Sequence, residues 1–183
     1  IYDDSMWLIN LVENILSISR IEDGRMNLSI STELVSEVFE EALRHTNRHS
    51  GQHTITVQMD DDLLLARMDA KLIVQVLINL MDNAIKYTPA GSHIILSAAA
   101  QGETAVIQVS DDGSGIPDGA KEKVFEMFFT GENRISDSRR SLGLGLALCR
   151  TIIAAHGGTI TLSDNKPHGC IFTFTLPLGE VSL

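Results

Sequence analysis

The chain has 183 residues and a mass of 20.0 kDa, which is enough for one full-sized domain and a short additional segment. Hydrophobic residues make up 44% and charged residues 21%, as in a folded rather than a disordered protein. A net charge of −10 argues against a nucleic-acid-binding protein. The chain has two cysteines, too few for a disulfide framework, and this count favours a reducing compartment. No apolar run reaches the roughly 18 residues that a membrane helix needs. Because the chain begins inside a predicted helix, we expect it to be part of a longer protein.

The first predicted helix covers residues 1–23 and carries an apolar stripe. The stripe is formed by residues spaced three and four apart and by two that widen it: Leu8, Leu11, Ile15 and Ile18, with Val12 and Leu16. A single helix of this length is marginal in water, so the stripe must pack against something. Two interpretations are open: the helix docks on its own domain, or it is half of a dimerisation hairpin whose other helix lies upstream.

The remaining elements follow in an order typical of an α/β sandwich. We predict strands at residues 26–31, 54–59, 64–68, 93–100, 104–111, 158–164 and 169–176, and helices at 33–48, 70–87, 118–126 and 143–156. A Ser-Thr pair at 31–32 is expected to cap the helix at 33–48. Several strands form hairpins and do not alternate strictly with helices. The expected fold is therefore a two-layer α/β sandwich of a mixed, largely antiparallel sheet and about three helices, preceded by the first helix.

The helix predicted at residues 70–87 has a polar face that contains Asn79, Asp82, Asn83 and Lys86. Such a stripe is usually a solvated surface. Two asparagines one turn apart, however, disfavour a helix slightly and place two amide groups where they can face one Mg²⁺ ion and its waters. Lys86 adds a point charge that attracts phosphate. The stripe by itself favours a functional site only modestly.

Two glycine-rich segments follow this helix. In the first, Asp111 ends a strand and is followed by Gly113 and Gly115, so that backbone can approach a ligand while the carboxylate accepts a hydrogen bond from an amine. In the second, Gly143 and Gly145 lead directly into a helix, whose free N–H groups suit an anion. Each segment is weak alone, because glycine-rich turns are common, but the order of the three motifs is specific.

With these motifs in this order, the sequence resembles the catalytic ATP-binding domain of sensor histidine kinases, within the wider ATPase group that includes gyrase and Hsp90. The matching segments are the N box at 79–89, the first glycine box at 111–116, the F box at 125–129, the second glycine box at 143–146 and the end motifs at 156–158 and 172–177. The resemblance covers about residues 26–178. Residues 7–14 and 137–143 are similar to the potassium-responsive subfamily of these kinases.

The resemblance implies roles for the matching residues. Asn83 would bind the Mg²⁺ that bridges the phosphates of ATP, with Asn79 beside it, and Asp111 would accept a hydrogen bond from the adenine amino group. The other residues expected at the nucleotide contact phosphate oxygens or leave room for the base: Lys86, Tyr87, Gly113, Gly115, Ile116, Gly143, Leu144, Gly145 and Leu146.

The main departure from the family pattern concerns the γ-phosphate. Many relatives have an arginine just after the F box, where this chain has Thr130. We expect Arg139 or Arg140 to supply the positive charge instead, from the end of the polar segment at 130–142, which the resemblance implies is a lid over ATP. Asp82 would orient or deprotonate the attacking histidine, with an ordinary surface carboxylate as the alternative interpretation.

The resemblance also implies how the chain is organised. Residues 1–23 would be the second helix of a dimerisation and phosphoacceptor hairpin, and residues 24–183 the catalytic ATP-binding domain. None of the six histidines is followed by an acid, so we expect the phosphoacceptor to lie outside this chain. The histidines are interpreted as surface or strand-end residues, and His156 as the end of a helix.

The expected function is transfer of the γ-phosphate of ATP to a histidine of the hairpin, for relay to an aspartate of a response regulator. Expected partners are a second copy of the chain and that regulator, in the cytoplasm, with membrane contact only through other regions. One alternative is a nucleotide-binding scaffold that does not transfer phosphate. The other is an ATP-hydrolysing clamp, which Asn79 disfavours because the gyrase relatives use a glutamate at that place to activate water.

Overall fold

A computed structural model describes residues 2–24, 27–46, 52–127, 129 and 144–180 of the chain. The helices are α1 (Tyr2–Glu22), α2 (Val35–Thr46), α3 (Ala70–Tyr87) and α4 (Gly145–Ala155). The strands are β1 (Ser31–Leu34), β2 (Thr54–Met59), β3 (Leu65–Met68), β4 (His93–Gln101), β5 (Thr104–Asp111), β6 (Ile160–Asp164) and β7 (Cys170–Pro177). Single turns of 3₁₀ helix lie at Asp118–Ala120 and Lys123–Phe125.

The main sheet has five strands in the order β2-β4-β5-β7-β6. The pair β2–β4 is parallel, and the other three pairs are antiparallel. The parallel pair is joined through α3, as a parallel connection requires a crossover. A separate antiparallel pair is formed by β1 and β3. The predicted α/β fold with a mixed, largely antiparallel sheet is confirmed.

The core lies between the sheet and the helices α2, α3 and α4. Alternate residues of the central strand β5 are buried on one face, namely Ala105, Ile107, Val109 and, at the end of the strand, Asp111. The apolar face of α3 packs on this side of the sheet. Because side chains alternate between the two faces of a strand, the Asp111 carboxylate lies on the same buried face as the core side chains of β5.

The helix α3 has the bounds that the sequence predicts. It begins after Asp69, whose side chain accepts a hydrogen bond from the N–H of Leu72, and it ends at Tyr87 before Thr88 and a proline. The start of α3 is also bonded to the end of α4, because the imidazole Nε2 of His156 accepts from the N–H of Asp69 at 3.0 Å. His156 caps α4, as predicted, but it is buried.

Three predicted elements are wrong in detail. The strand predicted at 26–31 lies at 31–34 instead, because its partner is β3, with Ser31 opposite Met68 and Leu34 opposite Leu65. The Ser-Thr pair at 31–32 is part of β1 and does not cap α2, which begins at Val35. The helix predicted at 118–126 is two separate 3₁₀ turns.

The helix α1 contacts the rest of the chain near its C-terminal end. Ile18 is buried there against α4, and a groove of about 470 Å³ lies between the two helices. Among the described side chains of α1, five large apolar ones are 40–52% exposed: Leu8, Ile9, Val12, Ile15 and Leu16. Within the part of the chain that the structure describes, none of the helices has the length and apolar character needed to cross a membrane.

Candidate functional site

The carboxylate of Asp111 is buried and held by backbone groups. Its Oδ1 atom accepts hydrogen bonds from the N–H of Gly113 at 2.9 Å and from the N–H of Cys170 at 3.3 Å. One donor comes from the first glycine box and the other from the start of β7. A buried carboxylate needs such partners, because the charge is costly to remove from water without them. The side chain is thus fixed at the edge of the core.

The first glycine box packs against the end of α3. A Cβ atom built on Gly113 would lie 2.6 Å from the Cγ2 atom of Thr88, so only glycine fits without a shift. Thr88 is held in turn, because its hydroxyl donates to the carbonyl of Ala84 at 2.7 Å and accepts from Nε2 of His53 at 2.9 Å. Gly115 has a φ of 80°, which favours glycine. These contacts join the two motifs that the sequence predicts to meet at the nucleotide.

Asn79 faces the start of α4. Its Cγ atom lies 3.9 Å from the position of a Cβ built on Gly145, and its Nδ2 atom is buried with no hydrogen-bond partner among the described residues. The neighbouring thiol of Cys149 is also buried. Burial raises the pKa of Cys149 to about 12. An unsatisfied buried amide is costly, and an acceptor atom of a ligand at Nδ2 would offset that cost.

The remaining residues of the polar face follow Asn79 along α3. Asn83 is half-buried one turn later, Asp82 is exposed, and Lys86 and Tyr87 are half-buried at the end of the helix. The side-chain oxygens of two amides one turn apart are ligands that a hard cation takes, whereas the unsatisfied Nδ2 of Asn79 is a donor and would suit a hydrogen-bond acceptor. The donor set therefore suits Mg²⁺.

The start of α4 is the described part of the second glycine box. Leu144 is at the N-cap position and, unlike a serine or aspartate there, makes no side-chain capping bond to the first turn. Gly145 and Leu146 form the first residues of the helix. A helix start of this kind suits a phosphate.

The structure brings six of the predicted site residues into two groups. Asp111 and Gly113 lie beside Thr88 at the end of α3, Gly115 lies against Gly169, and Ile116 packs against the core. Asn79 lies beside Gly145 at the start of α4. The predicted site residues Gly143, Arg139 and Arg140 lie outside the described residues.

Sequence reasoning missed three side chains that support the site: His53, Asn165 and His168. The first bonds Thr88, and the other two bond the backbone of the first glycine box from the loop before β7. The sequence indicates only surface or strand-end positions for the two histidines, because neither has a motif around it. Their role depends on contacts with residues 35 to 55 positions away, which no local pattern shows.

A core-facing aspartate, a glycine loop packed on the end of α3 and a helix that begins at a glycine are features expected of a nucleotide-binding α/β sandwich. Residues 68–180 match the family model described as histidine kinase-, DNA gyrase B-, and HSP90-like ATPase. The chain belongs to this family, and it carries the ATPase catalytic domain found in sensor histidine kinases.

Particular relatives are sensor kinases. The chain is 41% identical over 177 residues to the sensor protein KdpD of Clostridium acetobutylicum, which covers 97% of this chain and 20% of the relative. The catalytic domain of histidine kinase ThkA superposes with a TM-score of 0.73 at 29% identity, covering 82% of this chain and 96% of that domain. ThkA in complex with response regulator protein TrrA gives a TM-score of 0.73 at 26% identity, with 94% and 49% covered. The chain thus spans about a fifth of the length of this KdpD relative. The match to KdpD confirms the resemblance to the potassium-responsive subfamily that the sequence indicates.

Proposed function

We propose that this chain binds Mg²⁺ and ATP and transfers the γ-phosphate to a histidine of a dimerisation helix, for relay to an aspartate of a response regulator. The observation that carries the proposal is the buried Asp111 carboxylate, which occupies a core position of β5 and is oriented by two backbone N–H groups. A fixed acceptor at the edge of a core is suited to reading an amino group of a planar base.

The residues around Asp111 would divide the work of binding. Asp111 accepts from the adenine amino group, and Gly113 and Gly115 leave room for the base. Lys86 and Tyr87, with the backbone at 144–146, contact the phosphates. Asn83 and Asn79 would hold Mg²⁺, which when bound neutralises phosphate charge.

The phosphotransfer step would depend on positioning. In such a reaction catalysis consists of holding the γ-phosphate in line with the nucleophile and neutralising charge. Asp82 is exposed on the same helix as Asn83, where it can meet an incoming histidine and orient its imidazole. A histidine that is neutral near pH 7 attacks without a strong base. Arg139 or Arg140 is the proposed source of positive charge at the γ-phosphate.

The exposed apolar side chains of α1 support a role in dimerisation. An unpaired helix face of this kind needs a partner in water, and a second helix of a hairpin from this and a second copy would cover it. We propose residues 1–23 as that hairpin helix and residues 24–183 as the catalytic domain. The response regulator as partner is suggested by the ThkA complex, and the cytoplasmic location is part of the same proposal.

The test is a phosphotransfer assay in trans. The chain is mixed with radiolabelled ATP, Mg²⁺ and a longer protein that contains the dimerisation hairpin and whose own ATP site is inactivated by the change corresponding to Asn83→Ala. We expect acid-labile label on the hairpin histidine, and none when the supplied chain carries Asn83→Ala. Nucleotide binding without any label on the hairpin would contradict phosphotransfer and support the scaffold alternative.

A further inference from the structure

The connection between β6 and β7 presses directly against the backbone at Asp111. Gly169 has a φ of 115°, and a Cβ atom built on it would lie 2.0 Å from the carbonyl oxygen of Asp111 and 2.9 Å from the Cα atom of Asp112. A Cβ built on Gly115 would lie 3.4 Å from the carbonyl oxygen of Gly169. We name residues 165–169 the clamp loop, because they lie against both ends of the first glycine box.

Two side chains of the clamp loop donate hydrogen bonds to this backbone. Asn165 Nδ2 donates to the carbonyl of Asp111 at 2.8 Å, and His168 Nδ1 donates to the carbonyl of Gly113 at 2.9 Å. Both accepting carbonyls follow the Asp111 side chain along the chain, one in the same residue and one two residues later. The two bonds therefore hold the peptide units that determine where the carboxylate points.

The clamp loop is itself closed by internal hydrogen bonds. The N–H of Asn165 donates to the carbonyl of Gly169 at 3.0 Å, and Asn165 Oδ1 accepts from the N–H of Lys166 at 2.9 Å. Because Oδ1 is used inside the loop, the amide must present Nδ2 to Asp111. Just after the loop, the N–H of Cys170 donates to Oδ1 of Asp111, so the loop also positions a group that holds the carboxylate.

We propose that Asn165 and His168 are positioning residues for Asp111, and that through it they set how strongly the site discriminates adenine from a purine without the 6-amino group. This inference rests on the proposed function, in which Asp111 accepts from that amino group. A hydrogen bond weakens steeply with poor angle and distance, so a small shift of the carboxylate reduces the preference for adenine without removing the pocket.

The test compares two nucleotides on each variant. Dissociation constants are measured by calorimetry, with Mg²⁺, for ATP and for purine riboside triphosphate, which lacks the 6-amino group. Asn165→Asp keeps the shape and the internal acceptor but replaces the donor by an oxygen, and His168→Leu removes the other donor. We expect the preference for ATP to fall about fivefold to tenfold in each variant, the size of one hydrogen bond. The added charge of Asn165→Asp weakens both nucleotides alike, so the ratio isolates positioning.

Two controls separate positioning from general damage. His168→Asn offers an amide donor close to the place of Nδ1 and should restore the preference, and Lys166→Ala should leave it as in the wild type. Equal losses for both nucleotides, with the preference retained, would overturn the inference while leaving the proposed function intact. A wild-type chain that binds ATP no better than the analogue would overturn both.

Discussion

The close contact between Gly113 and Thr88 predicts a specific energetic coupling. In Gly113→Ala the new Cβ atom would lie 2.6 Å from Thr88 Cγ2, against about 3.5–4.0 Å for a relaxed carbon contact. Thr88 cannot rotate away cheaply, because its hydroxyl bonds Ala84 and His53. Two such bonds are worth about 1 kcal/mol each, and overpacking costs about 1–3 kcal/mol. We expect Gly113→Ala to lower the free energy of unfolding by about 2 kcal/mol.

A double-mutant cycle tests the origin of this loss. Thr88→Ser removes Cγ2 and keeps the hydroxyl, at a cost of about 1 kcal/mol for the lost methyl burial. In the double variant the 2.6 Å contact with Cγ2 is gone, so the loss of unfolding free energy should be smaller than the sum of the two single losses, with a coupling of about 1–2 kcal/mol by urea denaturation. Gly119→Ala is the matched control, since a Cβ there meets nothing within 4 Å. Additive losses for Gly113→Ala and Thr88→Ser would refute the contact as the cause.

Three further predictions concern buried groups. Asn79→Ala should keep or raise the free energy of unfolding, because it removes an unsatisfied amide and a weak helix former. The same change should weaken ATP binding in the presence of Mg²⁺. A clear loss of stability in urea denaturation would contradict this prediction. His156→Ala should lower the free energy of unfolding by about 3 kcal/mol, because the N–H of Asp69 loses its acceptor. His93 is exposed, so His93→Ala should change the free energy of unfolding little. Equal effects of the two changes would argue against a contribution of the Asp69–His156 hydrogen bond. Burial keeps the pKa of Cys149 near 12, so in the folded chain an alkylating reagent should label it at pH 9 only after unfolding. In the unfolded chain the thiol has the lower pKa of 9.0, so it ionises at a lower pH than in the folded chain. The free energy of unfolding should therefore fall as the pH rises from about 9 towards 12, and Cys149→Ala should reduce this dependence on pH.

Elements with strong local patterns were predictable from the sequence. The helix at 70–87 has a side-chain cap at Asp69 and a proline just past its end, and the structure gives it the same bounds. The strand at 104–111 alternates buried and half-buried residues along its whole length, as expected for a half-buried strand. In these cases the information needed lies within the segment itself.

The positions of other elements depend on partners that are distant in the sequence. Met26, Leu28 and Ile30 alternate as a strand would, but the strand lies at 31–34 because pairing with β3 determines which residues bond. The roles of Asn165 and His168 depend on the register between β6 and β7, which brings the clamp loop to Asp111. No pattern within residues 165–168 indicates that contact.

The helix α3 provides a common frame for both ends of the nucleotide site, because it is tied to other elements along its length. Its start is bonded to His156 of α4, its middle places Asn79 beside Gly145, and its end meets Gly113 through Thr88. The residues proposed for the metal and phosphates lie between these ties, and the residue proposed for adenine lies just beyond the last. Side chains on a regular element held at both ends keep their mutual distances better than side chains on loops. The unsatisfied amide of Asn79 can persist in this setting, since the surrounding contacts stabilise the helix well enough to offset its cost.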